Sequence, residues 1–70
     1  MKIILILYMC SLSSGVCLPG YEWPVEFKDA YECSIAGYEE SARKLKEIGP
    51  EEVNKRRISI TFACREIATT

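Results

Sequence analysis

The sequence predicts an α+β fold: a small two-layer β-α-β unit with one amphipathic helix packed on a two-stranded parallel sheet, preceded by a signal peptide. Three observations predict it. Residues 21–28 and 58–65 alternate apolar and polar side chains. Residues 30–48 carry an apolar stripe at helical spacing. The first 17 residues run in the order charge, apolar stretch, small residues.

The N-terminus reads MKIILILYMCSLSSGVC. Lys2 precedes an apolar run from Ile3 to about Leu12, and Ser11, Ser13, Ser14 and Gly15 follow. A membrane span needs about 20 apolar residues, roughly twice this run. The expected division is therefore 1–17 as signal peptide, cut after Cys17, and 18–70 as the folded domain. Cleavage after Gly15, or retention of the segment as a membrane anchor, are the alternatives. Lipidation of Cys17 is disfavoured by the bulky Val16 before it. Cleavage removes Lys2 as the only charged residue, takes the formal net charge from −1 to −2, and reduces four cysteines to two. About 53 residues would remain, a core that seldom holds without a covalent staple.

After Pro19 and Gly20, the stretch YEWPVEFK places Tyr21, Trp23, Val25 and Phe27 on one face and Glu22, Pro24, Glu26 and Lys28 on the other. That is a half-buried strand, and Pro24, which cannot donate to a ladder, makes it an edge strand. Asp29 and Glu32 have the spacing of a capping box and start a helix at Ala30. On a helical projection an arc of about 160° holds Ala30, Tyr31, Ser34, Ile35, Gly37, Tyr38, Ser41, Ala42, Leu45 and Ile48. Cys33 falls about 40° outside it. Gly49 and Pro50 end the helix. PEEVNKRR is a short connection with a helical turn starting at Pro50. In ISITFACR the residues Ile58, Ile60, Phe62 and Cys64 share one face, and Ser59, Thr61, Ala63 and Arg65 the other. The tail IATT is expected to fray.

The helix is about 28 Å long and the first strand about 26 Å, so the chain returns to the level where the strand began. A second strand parallel to the first then brings Cys33 and Cys64 to the same end. An antiparallel one would separate them by roughly 20 Å, too far to bridge. The expected staple is a Cys33–Cys64 disulfide, which points to a secreted or periplasmic protein.

The composition excludes several function classes. The chain has no histidine, so it lacks the usual general base and the commonest metal ligand. Its near-zero net charge gives no bias toward nucleic acid. Catalytic, metal and cofactor sites are accordingly not expected. Glu39–Glu40 and Glu51–Glu52 point apart on a helix and read as solvated surface, and Lys55-Arg56-Arg57 reads as a solvated turn. Tyr21, Trp23, Tyr31 and Tyr38 read as core rather than as a binding cluster. The long, proline-free outer edge of ISITFAC offers unpaired backbone groups, with Ser59, Thr61 and Arg65 beside it. It could pair with an unknown protein partner or a second copy by strand addition.

The stretch FKDAYECSIAGYEESARKLKEIGPEEVNKRRISITFAC resembles short, signal-bearing proteins of the marine phage and metagenome kind. The resemblance runs from Phe27 to Cys64 and implies no activity or site. Together these readings point to a small exported binding protein without enzymatic activity, acting at a host envelope if phage-encoded. The alternative is a membrane-tethered accessory protein that keeps its N-terminal run.

Overall fold

The computed structural model describes residues 2–67. The chain forms β1 (Lys2–Ser11), β2 (Tyr21–Phe27), α1 (Ala30–Ile48), α2 (Pro50–Arg56) and β3 (Ile58–Ile67). The strands make one three-stranded sheet in the order β2-β1-β3. Both pairings, β1 with β2 and β1 with β3, are antiparallel.

This corrects the expected fold. The sheet has three antiparallel strands rather than two parallel ones, and two helices rather than one. β2 and β3 do run in the same direction, because each is antiparallel to β1, but they do not pair. β1 lies between them. It is the apolar run that reads as a leader, and its ladder with β3 extends from Lys2 opposite Ile67 to Ser11 opposite Ile58. The described domain therefore includes residues assigned above to 1–17. A ten-residue apolar stretch suits a central strand as well as a leader, since both its edges are paired and one of its faces is covered by α1.

The core follows from that placement. Ile3, Leu5 and Leu7 point toward α1, and Leu5 is wholly buried opposite Cys64. Trp23, Phe27, Ala36, Phe62 and Cys64 pack around Ile3, Leu5 and Cys33. On the other face Ile4, Ile6 and Tyr8 stand opposite Arg65, Ala63 and Thr61. β2 is an edge strand. Its register against β1 slips, so that Trp23, Pro24 and Val25 stand against Leu5 alone. Pro24 sits in that bulge, where no ladder donor is required.

The local signals around α1 act as their chemistry dictates. The Asp29 carboxylate accepts from the Glu32 N–H at 2.8 Å, and the Gly49 N–H donates to the Leu45 carbonyl. Gly49 has φ 93°, a conformation that favours glycine. Pro50 opens α2, which is longer than the single turn expected. Gly37 packs directly on Phe62: a Cβ there would collide with the ring.

The buried face of α1 is narrower than the expected arc and rotated from it. Cys33, Gly37 and Ser41 are its buried residues. Tyr31, Ile35, Tyr38 and Ala42, expected inside, are exposed. The tyrosines read as core are corrected in the same way. Tyr21, Tyr31 and Tyr38 are exposed, and only Trp23 of that group packs on the core. β3 extends through Ile67, and the rest of the tail expected to fray, residues 68–70, lies outside the described residues.

Candidate interaction surface

All four cysteines are paired. Cys33, in the second turn of α1, bonds to Cys64 near the end of β3, with Cα atoms 6.2 Å apart. Because β2 and β3 run the same way, the start of α1 and the end of β3 share one end of the molecule. The bond ties the helix to the sheet beside Leu5. Cys10 bonds to Cys17 across the start of the β1–β2 connection, with Cα atoms 3.9 Å apart. Backbone bonds from Ser11 N–H to the Val16 carbonyl and from Leu18 N–H to the Met9 carbonyl close the same turn. The Cys10–Cys17 bond was missed at the sequence level because both residues fell inside the expected leader.

The surface with the clearest chemical character lies on the far side of β3. That strand pairs only with β1, so its outer edge has no strand partner among the described residues. It is ten residues long and contains no proline. Its side chains sort by register: Ile58, Ile60, Phe62 and Cys64 lie on the α1 side, and Ser59, Thr61 and Arg65 on the other. These last three, singled out from the sequence, line the outer edge of the open face but do not converge on one point.

A groove of about 500 Å³ runs along this edge between α1 and β3, lined by Ser34, Tyr38, Ser41, Ile60, Phe62 and Cys64. Thr61, from the opposite face, also lines it, so the groove opens over the strand's edge. The Tyr38 and Phe62 rings meet edge to face with centroids 4.8 Å apart. The Ser41 hydroxyl is buried in the wall and finds no hydrogen-bond partner among the described residues. Such an unpaired group costs about 1–3 kcal/mol and is relieved by an incoming donor or acceptor. Above the groove the uncovered flank of α1 exposes Tyr31 at 75%, Tyr38 at 69% and Ile35 at 43%.

On the other side of α1, Leu7, Met9, Leu18, Pro19, Tyr21 and Lys44 line a hollow of about 200 Å³. It is almost wholly apolar, with only the Lys44 ammonium as a charged group. The charged face of α1 carries Glu40–Arg43 and Lys44–Glu47 pairs, Glu32 in its first turn pairs with Lys28 ahead of the helix, and Arg56 pairs with Glu52 on α2. These pairs are solvent-facing and contribute little to stability. The Arg43 guanidinium is raised further above its ordinary value, first by its hydrogen bond to Glu40 and then by the Glu40 charge. Among the described residues no group of three His, Cys, Asp or Glu side chains is placed to hold a metal ion. No helix among them is long and apolar enough to cross a membrane.

No protein-family model, no curated protein and no solved structure matches this chain.

Proposed function

We propose that the chain is a small exported interaction protein, working by binding rather than catalysis, through the outer edge of β3 and the flank of α1 above it. The observation that carries this reading is the coincidence, on one side of the molecule, of a bare ten-residue strand edge and an apolar helix flank. A strand edge supplies backbone donors and acceptors to an added strand, and the flank supplies the apolar cover. The two disulfides support an oxidising compartment, secreted or periplasmic. The resemblance of Phe27–Cys64 extends the proposal to a phage-encoded protein acting at the host envelope.

In this reading residues 2–11 stay in the folded protein as β1. A second reading, favoured by the charge-apolar-small order of residues 1–17, has the segment removed after Cys17. The two exclude each other. A chain cut there loses Ile3, Leu5, Ile6 and Leu7, the larger part of the buried core, and the strand on which β2 and β3 both pair.

The test uses the oxidised full chain as bait against envelope and medium fractions. Retention of a partner, or of further copies of the chain, is expected, together with its loss in Ile60→Pro, which removes an outward-facing N–H from the edge and leaves the ladder to β1 intact. Circular dichroism of the variant shows that the fold persists. A bait that retains nothing and does not self-associate overturns the proposal.

A further inference from the structure

We infer that the occupant of this surface is a second copy of the same chain. β3 pairs antiparallel with the partner's β3 about Phe62, and α1 lies against the partner's α1 about Tyr38. The inference rests on the binding reading above and names its partner.

The argument starts from levels. A two-fold axis that joins two antiparallel edge strands into one sheet stands perpendicular to that sheet and leaves both helices on the same face. The strand centre and the helix centre must then lie at the same height. They do: Gly37 packs on Phe62, and the Tyr38 ring touches the Phe62 ring. α1 covers both β3, through Phe62 and Cys64, and β1, through Ile3 and Leu5. Its axis therefore lies about one strand spacing from the two-fold. The two helices would be about 10 Å apart, which is the ordinary distance for packed helices.

The flank of α1 has the pattern such a contact needs. Tyr31, Tyr38 and Leu45 recur every seven residues, with Ser34, Ile35, Ser41 and Ala42 between them. In an antiparallel pair centred on Tyr38, the large Tyr31 meets the partner's Leu45, and the small Ser34 meets the partner's Ala42. The buried, unpaired Ser41 hydroxyl lies in the wall of the groove that the partner helix would close.

The charges on β3 are compatible with this register, which the level of Gly37 and Tyr38 over Phe62 selects. Centring on Phe62 sets Ser59 opposite the partner's Arg65 and Ile58 opposite the partner's Glu66. It also brings the Arg57 end of each strand to the Glu66 end of the other. Like charges are nowhere opposed. Centring on Thr61 would set Arg57 against the partner's Arg65, and centring on Arg65 would oppose the two arginines directly. Size is also adequate. A ten-residue edge is about 33 Å long, and sheet and helix together are about 20 Å deep. The contact covers roughly 600 Å² in projection, close to the ~800 Å² per partner of a standard interface.

Sedimentation equilibrium of the oxidised full chain, from micromolar to near-millimolar concentration, tests this. The expected species has twice the 8.0 kDa chain mass. Ile35→Glu and Tyr31→Glu should each raise the dissociation constant about 30-fold or more. In the dimer, consecutive β3 amides should resist hydrogen exchange, whereas in the variants the outward-facing alternate amides should exchange fast. If Ile35→Glu does not fold, Tyr31→Glu carries the test, since that ring is largely outside the core. A folded chain that stays monomeric, or a dimer that ignores both variants and leaves alternate β3 amides fast, overturns the inference. A monomer that still retains another protein through β3 overturns only the dimer. One that retains nothing overturns the binding reading as well.

Discussion

Gly37 shows how one residue can matter through what it leaves out. In an exposed helix a Gly→Ala change gains about 1 kcal/mol of propensity. Here the added Cβ meets the Phe62 ring, so Gly37→Ala should instead destabilise by about 1–3 kcal/mol, read from the urea midpoint at unchanged m-value. Leu5 is the converse case. It is wholly buried in the central strand opposite Cys64, which bonds to Cys33. Leu5→Ala should cost about 2–5 kcal/mol by the same measurement. The same substitution tests the fold itself, because a residue in a discarded leader would show no effect on stability.

At the scale of the element, α1 is held by its ends and by one edge of its apolar face. Asp29 satisfies a backbone donor at the start, so Asp29→Ala should lower stability by about 1 kcal/mol while leaving the pairing of β1 and β3 intact. β1 differs: it is an element without a local signature. It has neither cap nor alternation, and its identity as a strand comes entirely from the two strands beside it. β3 is the reverse, a strand by its own alternation, yet with only one of its edges occupied among the described residues.

For the whole molecule, stability depends on the covalent ties as well as on a small core. The Cys33–Cys64 bond spans 31 residues and the Cys10–Cys17 bond spans 7. In the chain-entropy model these contribute roughly 3–4 and about 2.5 kcal/mol. Cys33→Ser with Cys64→Ser should therefore lower the thermal midpoint more than Cys10→Ser with Cys17→Ser. The mass of the mature protein decides between the two uses of the N-terminal segment. Retention of residues 1–17 is expected where β1 is the central strand. Their loss would leave β2 and β3 without a shared partner, and with it the arrangement described here would fall.

What the sequence determined by itself was local. The capped span of α1, the alternating strands and the proline at an edge all follow from residues within a turn or a pleat of one another. Helix and strand lengths likewise bring Cys33 and Cys64 to one end. Tertiary structure decided the rest. An apolar run of ten residues has the same composition whether it is threaded through a membrane or set between two strands, so only the partners on both sides of Lys2–Ser11 make it the centre of a sheet. The same holds for α1. Its apolar arc is wider than the sheet can cover, and the Cys33 bond and the Gly37–Phe62 contact choose which part is buried. Tyr31, Ile35 and Tyr38 are left outside because a helix lying on one sheet buries only the side turned toward it.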